Sequence, residues 1–187
     1  TQTVTMVQMA AGFSSLVNGG DYYEPHIVKE IQNENGAIVK KMEPVVVKKT
    51  VSDKTSSLIR QYMKATVEDG TAAPAAVKGY SIGGKTGTAQ KRPVSERKYL
   101  VSFLGCVPAE NPEAVVYVII DEPHVEDQAH STYATEFASK IMKKILPFLE
   151  IYPEKEEEPK ATDKPQDDST EPVGEDTAGQ DPAGSGQ

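Results

Sequence analysis

The stretch Gly83-Gly84-Lys85-Thr86-Gly87-Thr88-Ala89-Gln90 constrains this chain more than any other. It places one cation, two hydroxyls and three glycines within eight residues. Each glycine costs a helix about 1 kcal/mol relative to alanine, and Pro93, just downstream, about 3 kcal/mol. The segment therefore reads as extended chain. Glycines also let the backbone lie close to a ligand, while the lysine offers charge and the threonines offer hydroxyls. A fold that accepts this stretch must hold an extended strand with a polar, anion-seeking cluster on it.

Two chemistries use such a cluster. From Gly79 to Thr86 the residues match G-x-x-x-x-G-K-[ST], the pattern that cradles nucleotide phosphates. The apolar run Val115–Ile120 ends at Asp121 and Glu122, where an acid could hold Mg²⁺. A phosphate loop, however, must open a helix, whose N-terminus supplies the donors and the dipole. Gly87 and Pro93 oppose a helix here, so nucleotide binding through Gly79 to Thr86 with Asp121 stands only as an alternative.

Lys85-Thr86-Gly87 also matches the third motif of the serine acyl-transferases that handle penicillin, which accompanies S-x-x-K and S-D-N. Extended chain on both sides suits it. Taken with Gly83–Gln90 as a whole and with Tyr99-Leu100-Val101-Ser102-Phe103-Leu104-Gly105-Cys106-Val107-Pro108, the chain resembles the transpeptidase domain of class B penicillin-binding proteins, including the cell-division and sporulation types. Val4-Thr5-Met6-Val7-Gln8-Met9-Ala10 resembles the segment after that family's second motif, with Met6 where the family usually has proline. The resemblance covers residues 1–150, roughly, and one of the three motifs.

The resemblance implies a D,D-transpeptidase of peptidoglycan cross-linking, acting on D-alanyl-D-alanine stem peptides and bound by β-lactams. It implies that Lys85 and Thr88 are catalytic. Lys85 would lend positive field and hydrogen bonds, and the Thr88 backbone N–H would be one of two oxyanion donors. Thr86, Gly87 and Thr88 would bind substrate, the hydroxyls facing its carboxylate and Gly87 letting the strand edge approach. No cofactor, no metal and no nucleic acid is implied; division or sporulation proteins are implied partners. The implied location is the extracytoplasmic face of the bacterial cell membrane, with the anchor outside this chain.

Acyl transfer needs a serine nucleophile and a base beside it. The sequence contains no S-x-N, and its one S-x-x-K is Ser95-Glu96-Arg97-Lys98, which follows the lysine strand in a charged turn behind Pro93. Ser95 is rejected as nucleophile, because the family's serine opens a buried helix. The expectation is thus the C-terminal part of a transpeptidase domain, inactive alone, whose natural partner is the N-terminal half of the same domain. A noncatalytic module that holds cell-wall peptide or a division partner is a further alternative.

The chain has 187 residues, with 20 Lys+Arg against 28 Asp+Glu. Residues 153–187 contain 11 acids and 3 lysines, so the preceding 152 residues carry 17 of each sign. The acidity belongs to the tail, and no basic patch argues for nucleic acid. Cys106 is the one cysteine and reads as a small buried side chain. His26, His124 and His130 lack the spacing of metal ligands and read as structural. No run approaches the roughly 18 apolar residues of a membrane span.

The expected fold class is α/β (α+β): an antiparallel sheet flanked by helices, as in a partial penicillin-binding-protein or serine β-lactamase-like transpeptidase fold. Thr5 caps a helix to about Asn18, closed by Gly19-Gly20. His26–Ile31 and Ala37–Lys41 form a hairpin through Asn33-Glu34-Asn35-Gly36. Ser52 caps a helix through about Glu68, ended by Gly70; residues 71–76 are a connector or a substrate loop. Tyr80–Gln90, Tyr99–Val107 and Ala114–Asp121 make one sheet, of which one face and one edge are left bare, and Ala134–Leu149 is an amphipathic helix with Pro147 near its end. Residues 1–152 form the domain part, and residues 153–187, almost free of apolar side chains, a disordered tail.

Overall fold

The structure is a computed structural model that describes residues 3–153. The expected tail lies outside the described residues, apart from Pro153. The described residues open with helix α1, Met6–Val17. Thr5 and Gln8 form a capping box: the Thr5 hydroxyl accepts the Gln8 N–H at 3.2 Å, and Gln8 Oε1 accepts the Thr5 N–H at 2.9 Å. Beyond Asn18 the chain turns through Gly19 and Gly20 at φ +98° and +107°. A Cβ on Gly20 would lie 2.0 Å from the Val51 carbonyl oxygen, so only glycine fits.

Two short antiparallel ribbons follow. Strand β1, Asp21–Tyr23, pairs with β4, Val46–Lys49, and β2, Glu30–Gln32, pairs with β3, Ile38–Lys41. The Asn33 side chain closes the second ribbon by accepting the Asn35 and Ala37 N–H groups, each at 3.0 Å. The ribbon is shorter than the hairpin expected from His26 onward. Its return chain changes partner: the Val45 carbonyl accepts the Glu24 N–H at 2.9 Å, continuing the β1–β4 ladder. His26–Val28 are thereby left without a strand opposite.

Helix α2, Asp53–Glu68, starts at Ser52, whose hydroxyl accepts the Thr55 N–H at 3.1 Å. Arg60 ties it to α1. Its guanidinium donates to the Val17 carbonyl at 2.8 Å and to Ser56 Oγ at 3.0 Å, and Ser56 in turn accepts the Gly19 N–H. A cation thus satisfies a carbonyl that the end of α1 leaves open.

The central sheet has the order β5-β6-β7, with β5 at Gly83–Gln90, β6 at Tyr99–Val107 and β7 at Ala114–Asp121. Strand β5 starts three residues later than expected. All pairs are antiparallel and unbroken, with Lys85 opposite Leu104 and Leu104 opposite Tyr117. Helix α3, Thr132–Phe148, begins two residues before the expected start and carries Pro147 in its last turn. There the Leu149 N–H reaches both the Ile145 and Leu146 carbonyls, at 2.9 and 3.1 Å.

Val101, Phe103, Val107, Val116 and Val118 bury one face of the sheet against Ala138, Met142 and Leu146 of α3. Leu104 and Cys106 bury the other face against Phe13 and Val17 of α1. The expectation of a bare sheet face around Val115–Ile120 is therefore corrected, because α1 folds back over the side that α3 leaves open. Each fully buried Phe, Met or Leu stabilises the fold by about 1.5–3 kcal/mol. Burial pushes the Cys106 thiol up to about 11, so it stays neutral in the second core.

The Phe103 ring sets the spacing of β5 and β6. Gly84 and Gly105 face each other across the ladder. A Cβ on Gly84 would lie 2.4 Å from Phe103 Cζ, and one on Gly105 would lie 2.6 Å from Phe103 Cε1. The ring lies on two bare backbones and is itself fully buried.

At the opposite end of these strands Lys91 joins Asp121 at 3.0 Å and Glu122 at 2.7 Å, and Lys98 joins Glu96 at 2.9 Å and Glu122 at 3.6 Å. The hydrogen bond from Lys91 holds the Glu122 carboxyl below its ordinary value of 4.5.

Two outcomes follow from this packing. Gly84→Ala drives a methyl into the Phe103 ring and destabilises the domain by about 1–3 kcal/mol, read as a lower urea midpoint. Lys91→Met removes a partner of a depressed carboxyl, whose contribution is present above pH 4.5 and lost as pH falls through the lower folded value. The midpoint difference between Lys91→Met and the parent is therefore small at pH 7, smaller in high salt, and absent at about pH 2.

Candidate functional site

Strand β5 has one neighbour, β6, and its other edge is free of strands among the described residues. Which backbone groups face that edge follows from the phase of the ladder. The Lys91 N–H donates to the Lys98 carbonyl at 2.8 Å, so this pair is a hydrogen-bonded one. In an antiparallel ladder such pairs alternate with non-bonded ones. Gln90, Thr88, Thr86 and Gly84 therefore turn their N–H and C=O groups away from β6. Two side chains find them there. The Thr66 hydroxyl of α2 donates to the Gly84 carbonyl, and Lys85 Nζ donates to the Thr86 carbonyl at 2.7 Å.

Side chains of directly opposed residues share a face. Lys85 stands with Leu104 on the α1 side, whereas Thr86 and Thr88 stand with Phe103 and Val101 on the α3 side. The two hydroxyls are side by side, two residues apart, Thr86 half-buried and Thr88 exposed. Lys85 leaves the other face and bends around the margin, so its ammonium meets the edge at Thr86. The ammonium and the Thr88 N–H thus lie along one strand margin, and the two threonine hydroxyls stand on the sheet face beside it. No carboxylate among the described residues pairs with Lys85. Gly87 faces Ser102, and a Cβ there would lie 2.6 Å from Ser102 Oγ. A turn of the Ser102 hydroxyl would relieve that contact.

This edge offers donors and positive charge. It can hydrogen-bond an extended peptide as an added strand, hold a carboxylate through hydroxyls and ammonium, and present an N–H to a developing oxyanion.

The end of α2 supports it. Gly70 sits against Thr66, where a Cβ would lie 2.9 Å from the Thr66 carbonyl oxygen, and the Ala72 N–H donates to that carbonyl at 3.0 Å. The tight turn brings the Thr71 hydroxyl within 3.3 Å of the Thr86 hydroxyl. Neither the Thr66 contact nor the role of residues 71–76 is legible in the sequence, because contacts across 18 and 15 residues have no periodic signal.

Gly79 to Thr86 do not build a phosphate loop, since Lys85 lies within strand 83–90 and no helix opens there. Asp121 is held by Lys91. By the sheet spacing it stands about 16 Å from Lys85 in Cα terms, four residues along and two strands across. Among the described residues no three His, Cys, Asp or Glu side chains gather to hold a metal ion. Ser95 lies in a 3₁₀ turn, Val94–Glu96, and Lys98 beside it is engaged by Glu96 and Glu122. His26 and His124 are exposed, and His130 pairs with Asp127 at 2.8 Å. No helix among the described residues is long and apolar enough to cross a membrane.

The family profile of the penicillin binding protein transpeptidase domain matches residues 2–143. Stage V sporulation protein D of Bacillus subtilis is 43% identical over 159 residues, which are 82% of this chain and 24% of that protein. Penicillin-binding protein PbpB of Mycolicibacterium smegmatis is 31% identical over 133 residues, 65% of this chain and 20% of that protein. Among solved structures, the D,D-transpeptidase domain of a peptidoglycan glycosyltransferase from Eggerthella lenta superposes with a TM-score of 0.68 at 28% identity, over 80% of this chain and 33% of that one. Penicillin binding protein 3 of Mycobacterium tuberculosis, in complex with ampicillin, gives 0.68 at 26% identity over 81% and 36%. The chain spans about a quarter of the length of the curated relatives it matches. These likenesses lend no support to the nucleotide-binding or the noncatalytic reading. On the profile match and the 43% identity, and with the lysine strand laid out as a free sheet edge, the chain belongs to the penicillin-binding protein transpeptidase family.

Proposed function

We propose that this segment supplies the lysine-strand wall of a serine D,D-transpeptidase that cross-links peptidoglycan. The observation that carries the proposal is the free edge of β5, which bears Lys85 Nζ on the Thr86 carbonyl and, by register, an outward Thr88 N–H with the Thr86 and Thr88 hydroxyls on the adjoining face. A stem peptide ending in D-alanyl-D-alanine lies along this edge as an added strand. Thr86 and Thr88 hydroxyls hold its terminal carboxylate. Gly87, between them, keeps the wall low.

The nucleophile is a serine that this sequence does not contain in a usable place, since Ser95 sits in a turn whose lysine is already paired. When that serine attacks the scissile carbonyl, the Thr88 N–H donates to the oxygen as it becomes an anion. Lys85 adds positive field and a proton donor beside the same oxygen and the carboxylate. β-Lactams carry the same carboxylate and carbonyl pairing, which is how one edge accepts both, and an ampicillin complex is known for the neighbour noted above. Peptidoglycan lies outside the membrane, so the edge works on the extracytoplasmic face. Division or sporulation proteins are the partners proposed for the whole enzyme, with the likeness to a stage V sporulation protein in support.

In a full-length protein containing this segment, Lys85→Ala lowers acylation by a fluorescent penicillin at least about 100-fold. The melting temperature moves little, because an exposed side chain is removed. Unchanged acylation removes Lys85 from the site. The 187-residue chain alone takes no penicillin label; stoichiometric labelling mapped to Ser95 would overturn the assignment of the nucleophile.

A further inference from the structure

We infer that Thr71, in the turn after α2, is a positioning residue for substrate recognition: it sets the direction in which the Thr86 hydroxyl gives its proton. The inference rests on the reading of Thr86 as a carboxylate ligand. The two hydroxyl oxygens are 3.3 Å apart, so either can donate to the other. A bound carboxylate removes that symmetry. It accepts only, so Thr86 must give it the single hydroxyl proton, and the Thr86 oxygen is then left to receive from Thr71. The chain Thr71 O–H to Thr86 O to carboxylate is polarised in one direction, and each bond strengthens the next.

The geometry around Thr71 is built to keep it there. Thr66 fixes the turn twice, through its hydroxyl on the Gly84 carbonyl and through its own carbonyl on the Ala72 N–H. Gly70 closes against the Thr66 backbone with no room for a Cβ. The 3₁₀ turn Ala73–Ala75 then buries Ala72 and Ala75 in the main core. Thr71 is thus the exposed crest of a loop anchored on both sides, beside the strand that carries Lys85.

The test compares acylation of the full-length protein by benzylpenicillin and by its methyl ester, which has no anionic carboxylate. Thr71→Val keeps the shape and loses the hydroxyl; Thr71→Ala serves as a second variant, and Thr71→Ser restores the donor. The expected result is that Thr71→Val lowers the rate constant for the acid about tenfold and leaves the ester rate unchanged, whereas Thr71→Ser stays within about twofold of the parent for both. Equal losses with acid and ester, or no loss with the acid, overturn the inference while the proposed function stands. A parent that does not distinguish acid from ester overturns the carboxylate role of Thr86, and this inference with it.

Discussion

The structure depends on how β5 is held against β6. A strand that slips by one residue turns every side chain to the other face, and here such a slip would exchange Lys85 with the threonines and point the Thr88 N–H inward. A three-part contact opposes one such slip. Gly84 and Gly105 oppose each other, and the Phe103 ring lies across both backbones at a distance no Cβ would allow. A shift that brings Lys85 under the ring would lose the contact, whereas Gly83 would still leave room for it, so the contact opposes slippage in one direction. Phe103 therefore does two things, filling the core beside α3 and fixing which peptide groups face the free margin.

The charges are partitioned along the same strands. At the far end, Lys91 and Lys98 gather Asp121, Glu122 and Glu96 into one paired cluster. At the near end Lys64 is paired with Glu68 and Glu110. Between them the edge from Lys85 to Thr88 has donors and a cation, and among the described residues no carboxylate pairs with Lys85. Surface pairs of this kind add little stability. Their consequence is to hold these acids at the two ends of the strand, away from Lys85.

Helix α2 links the core to the edge. Its Arg60 closes the end of α1, which covers one sheet face, while its last turn sends Thr66 to the Gly84 carbonyl and, through Gly70, Thr71 to Thr86. One helix thus braces the cover of the sheet and the backbone of the lysine strand together. An edge strand is ordinarily prone to pairing with any extended chain. Here the Thr66 hydroxyl occupies the Gly84 carbonyl and Lys85 Nζ the Thr86 carbonyl, so two of its outward acceptors are already engaged.

Local chemistry by itself determined a good deal. The helix starts at Thr5 and Ser52, the stop at Gly19-Gly20, and the extended character of residues 83–90 are matters of capping groups and backbone preference within a few residues, and all were legible. The family was legible too, because Lys85-Thr86-Gly87-Thr88 and its flanks are a contiguous string. What the sequence could not show were pairings between distant segments. The β1–β4 ribbon draws Val45 away from His26–Val28, α1 folds over the sheet face expected to be bare, and Thr66 and Thr71 reach β5 from a helix end. Each of these turns on which of several sterically acceptable partners buries the most apolar surface or satisfies the most backbone groups. Only the assembled tertiary structure decides that, because the competing contacts lie many residues apart and are chosen together.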